Sequence, residues 1–424
     1  MKEYRKRIAD RILHHRLNSK GAVLIEGAKW CGKTTTALQQ ANSVLYMQNP
    51  EELRQNLELA EISPRRLLAG ETPRLIDEWQ VAPKLWDAVR FEVDQRGEFN
   101  QFILTGSAVP ADFSKVLHTG TGRISRMKMR PMSLYESGDS SGEVSLSELF
   151  NGKSDIEGTS EASIEDVAYW ICRGGWPGAL DVEASIALQQ AMDYYDAVIN
   201  SDISRVDSVA RDPSRAALLL RSYARHIGSQ ASIGAICADI SSNETSTVSD
   251  KTVISYLKAL EKIFVIENSP AWSPNIRSKT AIRTSDTRYY TDPSIAAAAL
   301  GIGPNDLIND LNTLGFLFEN LCLRDLRVYA DVLGGNVYHY RDKNGLECDA
   351  VIHLRNGSYG LIEVKLGGET LIEEGAATLS AFTDNIDTER MNPPAFRMIL
   401  IGVGSYAYTR EDGIMIVPVS CLKD

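Results

Sequence analysis

The spacing of apolar residues changes several times along this chain. Near the start, Ile8, Ile12 and Leu13 recur among basic residues, a pattern that predicts a helix within residues 1–20. "AVLIEG" is a short apolar run ending in Gly27, as in a buried strand, and "TTTALQQA" after it reads as a helix. Further runs, "SVLYM", "PRLIDE" and "QFILTGS", continue the alternation to about residue 135. That is the signature of an α/β domain on a mostly parallel sheet. Residues 137–164, rich in Ser, Gly and acid, break the pattern and read as a flexible connector or surface excursion. The pattern is largely helical from about 165 to 265, and a last α/β segment begins near 287. The expected organisation is therefore 1–136, 137–164, 165–286 and 287–424, with no internal repeat.

A chain of 424 residues exceeds what one core supports, in keeping with several domains. No stretch approaches the roughly 18 uninterrupted apolar residues of a membrane span, so no membrane partner is expected. The basic N-terminus lacks the apolar core and cleavage site of a secretory signal. The six cysteines are scattered without a C-x-x-C pair, which argues against a zinc site or disulfide framework and suits a reducing cytoplasm. A net charge of −11 makes the whole chain a poor non-specific nucleic-acid binder, so DNA or RNA contact requires a local basic patch.

Candidate chemistry begins at Gly27-x4-Gly32-Lys33-Thr34, which fits the phosphate-loop template G-x-x-x-x-G-K-[ST]. Its glycines let backbone N–H groups turn toward phosphates, and the following helix adds its positive N-terminal end. Gly27, Ala28, Lys29, Trp30, Cys31, Gly32, Lys33, Thr34 and Thr35 would cradle ATP, with Lys33 on the β- and γ-phosphates and Thr34 on Mg²⁺. The motif follows a predicted strand and opens a predicted helix, the context it requires. "PRLIDE" supplies Asp77 to hold the ion and Glu78 to orient or deprotonate water. Thr105 and Ser107 end the next strand, where a hydroxyl could sense the γ-phosphate. Of the downstream Arg123, Arg126 and Arg130, Arg123 is the candidate arginine finger for a neighbouring subunit of a homo-oligomer.

Together "GAKWCGKTTTA", "LIDEWQVAPKLWDAVRFEVD" and "FILTGSA" resemble the AAA+ branch of P-loop ATPases. More narrowly they resemble bacterial and archaeal ATPases that carry a C-terminal uncharacterised domain. "RGGWPGAL", from Arg173, resembles a turn that follows the ATPase core in that family and implies no chemistry.

"SIGAICADI" and "SDKTVISYLKALEKI" read as successive helices, the second capped by Ser249 or Asp250, and "FVIENSPAW" as a strand leaving them. This is helix-turn-helix arithmetic with a wing, and the resemblance implies a winged-helix-like unit here too. Beyond it, Arg277, Lys279, Arg283 and Arg288 oppose the single acid Asp286, with Tyr289 and Tyr290 placed for base stacking.

"RDKNGLECDAVIHLRNGSYGLIEVKLGG" reads as a hairpin. Glu363 and Lys365 share one strand face. A three-residue loop, Arg355-Asn356-Gly357 with Gly357 left-handed, pairs Leu354 with Ser358 and sets Asp349 opposite Glu363. A two-residue Asn-Gly turn would put Asp349 on the other face. Facing carboxylates repel unless a hard divalent cation lies between them. Lys365 could activate water, and Glu319, in a helical stretch, could add a further carboxylate. Glu319, Asp349, Glu363 and Lys365 resemble the PD-(D/E)xK nuclease superfamily, which implies a restriction-endonuclease-like fold and metal-dependent phosphodiester cleavage. Cys348 replaces the usual Pro, and Glu347 is an alternative ligand.

The resulting expectation is an ATP-hydrolysing protein that controls a nuclease-like domain acting on DNA or RNA. The alternatives are an ATP-regulated DNA- or protein-binding switch with a catalytically silent C-terminal domain, and a protein-interaction scaffold, which the acidic charge favours.

Overall fold

Five short strands, four of them largely aliphatic, pair into one sheet in the N-terminal part of the chain. They are β1 (Ala22–Glu26), β2 (Ser43–Tyr46), β3 (Arg74–Asp77), β4 (Phe102–Gly106) and β5 (Ile124–Lys128). Their order is β2-β3-β4-β1-β5 and every pairing is parallel. The computed structural model describes residues 3–106, 119–207, 209–241, 248–274, 284–386 and 391–424.

Alternation along each strand feeds two cores. Leu24, Ile76 and Leu104 pack on one face with Trp86 and Val89 of the helix Lys84–Arg96. Val23, Ile25 and Ile103 pack on the other with Leu13 and Leu17 of the helix Ile8–Leu17. Because all five strands run the same way, their carboxyl ends share one edge. The register there sets Asp77 beside Thr105 and Glu26 beside Gly106. β4 thus separates the strand that carries the phosphate loop from the strand that carries the acids, as befits a ligand site beyond the carboxyl ends.

Contacts divide the chain into two units: Met1–Pro131, Ala197–Asp212 and Tyr256–Val265 form the first, and Met132–Asp196, Pro213–Ser255 and Ile266–Asp424 the second. The expected helical region 165–286 contributes segments to both units. Its helices Ile233–Ser241 and Asp250–Lys262 are present, and Ser249 Oγ accepts the Thr252 N–H at 3.3 Å as a cap. The anticipated wing strand is replaced, among the described residues, by isolated bridges at Ile266–Tyr290, Ser269–Thr287 and Ala271–His339.

The second unit holds β6 (Val144–Ser145), β7 (Gly158–Thr159), β8 (Gly335–Arg341), β9 (Glu347–Leu354), β10 (Tyr359–Lys365), β11 (Phe396–Ile401), β12 (Tyr406–Thr409), β13 (Met415–Pro418) and β14 (Leu422–Lys423). Seven of them form a mixed sheet, β7-β12-β13-β11-β10-β9-β8, and β14 pairs with β6. The helices Glu369–Asp384 and Leu311–Val332 both pack on this sheet. Within 137–164, the stretch expected to be a connector, β6 and β7 are laced into sheets, and Val144, Leu146, Leu149 and Ile156 are buried. The polar composition is real, but four well-spaced apolar side chains suffice to anchor it.

"RGGWPGAL" proves to be a structural turn. Gly174 has φ +71°, and a Cβ on Gly175 would lie 2.1 Å from the Met132 carbonyl oxygen. The Gly175 N–H donates to Asp292 at 2.9 Å, and Trp176 Nε1 donates to Ser294 at 2.9 Å. Asp292 also accepts from Arg324 at 3.0 Å, and Arg324 pairs with Asp325 at 2.8 Å. The three charged side chains are at most 1% exposed.

Candidate functional site

At the edge of the parallel sheet, the chain leaves β1 at Gly27, where a Cβ would lie 2.0 Å from the Met129 carbonyl oxygen; only glycine passes. Gly32, with φ +99°, turns the loop into the six-residue helix Lys33–Leu38. Lys33 is 6% exposed and donates to the carbonyls of Gly27 at 3.0 Å and Ala28 at 2.7 Å. Thr34 Oγ1 and Thr105 Oγ1 donate to the same oxygen of Asp77, at 2.6 and 2.7 Å. Glu78 follows in a left-handed conformation, φ +56°, unusual for a non-glycine residue. The Gln80 amide donates to its carboxylate.

Sequence reasoning did not single out several residues that hold this loop. Arg7 donates to the carbonyls of Cys31 and Arg130, both at 2.9 Å. Tyr4 bonds Thr36 at 3.0 Å, and Lys29 donates to Asp202 at 2.5 Å. Nothing local in the sequence signals these partners. Trp30 is half exposed and Thr35 follows on the helix. Ser107 lies outside the described residues. Arg123 stands at the opposite edge of the sheet, just before Ile124, which pairs with Ala22, and it is bonded to Asp94 at 2.7 Å.

The donor set suits a magnesium nucleotide: a threonine hydroxyl and a carboxylate converge beside a glycine-shaped loop with a buried ammonium. In this structure Lys33 bonds the loop carbonyls, and Thr34 and Thr105 bond Asp77.

In the second unit the hairpin register has His353 opposite Tyr359 and Ala350 opposite Ile362, the register a three-residue loop dictates. Leu354 and Ser358 close it, and Gly357 has φ +90°. Asp349 follows next in register opposite Glu363, and its carboxylate accepts the Val364 N–H at 2.8 Å. Lys365 Nζ lies 2.7 Å from Glu363 Oε2 and 3.8 Å from Asp349 Oδ2. Glu363 is 3% exposed, and its second oxygen, Oε1, is buried with no hydrogen-bond partner. Tyr289 donates to Glu319. Glu319 and Asp349 line a small open cleft with Gln230, His339 and Arg341.

Burial, then the Asp349 charge, pushes the Glu363 carboxyl up to about 8. Burial and the same neighbour raise Glu319 well above the carboxylate range, and burial raises Asp349. Burial opposes charge on Lys365, but Asp349 and Glu363 outweigh it and raise the amine. An orphaned buried carboxylate oxygen, on a residue whose charge is coupled to that of Asp349, suits a hard cation. In the arrangement seen, among the described residues, no three His, Cys, Asp or Glu side chains stand together as a metal-holding group. Lys365 bridges the two facing carboxylates instead. Glu347 is exposed and pairs with Arg341 at 3.1 Å.

The expected stacking pair needs correction. Tyr289 and Tyr290 are at most 1% exposed, and Tyr290 donates to the Leu220 carbonyl at 2.6 Å, so neither presents a face to a base. Arg288 donates to the Ala231 carbonyl at 2.8 Å and lies over Tyr223. Arg277, Lys279 and Arg283 lie outside the described residues.

Residues 19–138 match a family described as "AAA domain". Residues 164–306 match "Domain of unknown function (DUF8612)", and residues 314–422 match "Domain of unknown function (DUF4143)". No curated protein matches the chain. Among solved structures, the Walker-type ATPase PABY2304 of Pyrococcus abyssi is similar over 70% of this chain and 96% of its own, with 15% identity and a TM-score of 0.43. The AAA match falls on the phosphate loop and acid strand and supports a P-loop ATPase family for this region. Among the described residues, no helix is long and apolar enough to cross a membrane.

Proposed function

We propose that the N-terminal unit binds and hydrolyses ATP and thereby controls metal-dependent processing of nucleic acid by the C-terminal unit. In the ATPase, Lys33 would leave the Gly27 and Ala28 carbonyls for the β- and γ-phosphates. Glu78, held by Gln80, would take the proton of the water that adds to the γ-phosphorus as the bond to ADP breaks. Mg²⁺, held by Thr34 and by Asp77, would neutralise charge on the phosphates. Arg123, at the far edge of the sheet, would have to act on the nucleotide of a neighbouring subunit of a homo-oligomer.

In the C-terminal unit, Asp349 and Glu363 would hold a divalent cation, with Glu319 as a third carboxylate. Lys365 would orient or activate the attacking water, in a restriction-endonuclease-like arrangement. The observation that carries this reading is the buried, partnerless Oε1 of Glu363, a residue one step in register beyond the Ala350–Ile362 pair and so opposite Asp349. The test is cleavage of single- and double-stranded DNA and RNA by the full chain, with Mg²⁺ or Mn²⁺ and with or without ATP. We expect metal-dependent cleavage that is lost in Glu363→Ala and in Lys365→Ala and unaltered in an ATP-free assay of Lys33→Ala. Cleavage by both nuclease-site variants would sink the assignment.

One observation favours the second reading, an ATP-regulated binding switch with a silent nuclease-like domain. The Lys365 ammonium already neutralises Glu363 at 2.7 Å, so an ion is not required to relieve the carboxylate repulsion. Salt-sensitive nucleic-acid binding without cleavage would select it.

A further inference from the structure

The phosphate loop is tied to a remote stretch of chain. Lys29, between Gly27 and Gly32, donates to Asp202 Oδ1 at 2.5 Å across 173 positions of sequence. Asp202 ends a five-residue π-helical turn, Val198–Asp202, a form of helix often found at functional sites. The turn belongs to Ala197–Asp212, which packs within the N-terminal unit. The Asp202 side chain is 9% exposed and that of Lys29 43%, so the carboxylate is withdrawn from water while the ammonium sits at the mouth of the loop. The segment behind Asp202 is braced. Arg211 donates to both oxygens of Asp207, at 2.7 and 2.9 Å, and to the Ile203 carbonyl at 2.8 Å. The Asp212 N–H donates to the Tyr256 hydroxyl at 3.0 Å.

The two lysines of the loop are therefore held differently. Lys33 rests on neutral carbonyls, which a phosphate displaces readily. Lys29 is held by an anion, which competes with phosphate for the same ammonium and repels it. We propose that the Lys29–Asp202 pair is a latch that the triphosphate of ATP opens: ATP takes Lys29 from Asp202 and frees the Val198–Asp202 turn. This rests on the reading of Gly27–Thr34 as an ATP-phosphate loop. A triphosphate carries more charge than a diphosphate, so ATP opens the latch more fully than ADP. By linkage, whatever holds the latch shut weakens ATP binding to the same degree.

The test uses the full chain and titrates MgATP and MgADP into wild type, Asp202→Asn, Lys29→Met and the double variant. Asp202→Asn should tighten ATP by on the order of fivefold, with a smaller gain for ADP. Lys29→Met should weaken ATP, and Asp202→Asn should add nothing in that background. In wild type, ATP should speed hydrogen exchange of the amides of Val198–Asp202. Unchanged or weaker ATP binding by folded Asp202→Asn overturns the latch. So does a gain that persists in the Lys29→Met background, which would mark a through-space field. If Asp202→Asn does not fold, the wild-type exchange decides: unaltered protection at saturating ATP overturns the proposal. Lys33→Ala serves as the separate control. Wild-type ATP affinity in that variant would remove the phosphate-loop reading, and the latch with it.

Discussion

Lys365 donates to one oxygen of Glu363 at 2.7 Å and leaves the other, Oε1, buried without a partner. One carboxylate is thus half neutralised and half stranded, on the strand face that Asp349 meets from across the hairpin. Stability should register this imbalance.

Glu363 is held up to about 8 against an ordinary 4.5 by burial and then by Asp349. The folded state keeps a proton that the unfolded chain releases between these values. Its contribution to stability is present below about 4.5 and is lost as pH rises through about 8. Asp349 and Glu319 are raised too and act in the same direction; the amine of Lys365 titrates above the window. The unfolding midpoint should fall across this range, and fall less in Glu363→Gln. Mn²⁺ or Mg²⁺ should raise it more at pH 8 than at pH 5.5, because the cation binds the ionised carboxylate. A midpoint indifferent to metal at pH 8 would remove the cation from this site.

Replacing Lys33 by Ala should weaken MgATP at least about tenfold, the worth of one hydrogen bond to a charged group. Glu78→Gln should bind ATP normally while turnover drops on the order of a hundredfold or more, as for loss of a general base. Titration calorimetry and phosphate release measure the two. Full turnover by Glu78→Gln would move the base elsewhere.

Gly175→Ala should destabilise the second unit by roughly 1–3 kcal/mol, since the added methyl meets the backbone oxygen of Met132 rather than a movable side chain. Guanidinium titration of the variant reads this directly. A loss near zero would mean that the turn can shift away from Met132.

Arg324→Met would leave Asp292 and Asp325 buried without their cation. The expected cost is roughly 3–5 kcal/mol, that of breaking a buried pair from one side. A loss below about 1 kcal/mol would show that the two carboxyls neutralise themselves by taking up protons.

Features set by neighbouring residues were legible in the sequence. The span Gly27–Thr34 is contiguous, and four of the five parallel strands around it follow from local apolar runs, whereas β5, Ile-Ser-Arg-Met-Lys, offers no such run. The hairpin register hangs on loop length, which the sequence left open between a two- and a three-residue turn; one residue more or less reverses which face Asp349 occupies, and the structure takes the three-residue form. Features set by distant partners were not legible. β6 and β7 find their partners near residues 422 and 407, so their Ser- and Gly-rich surroundings read as a linker. Tyr289 and Tyr290 look the same in sequence whether they meet a base or bury their hydroxyls on Glu319 and Leu220. Asp202 gives no local sign of the lysine it holds.

The pairing of β6 with β14 also orders events during synthesis. Ser145 bonds the carbonyl of Asp424, 279 positions later. At about 5–20 residues per second, translation leaves Val144 and its neighbours without their partners for roughly tens of seconds. The parallel sheet of residues 22–128 needs no such wait, since all five of its strands emerge early. On the ribosome, that parallel sheet can close while β6 and β7 still lack the strands they pair with. Through that interval the segment around β6 and β7 waits without the strands it pairs with.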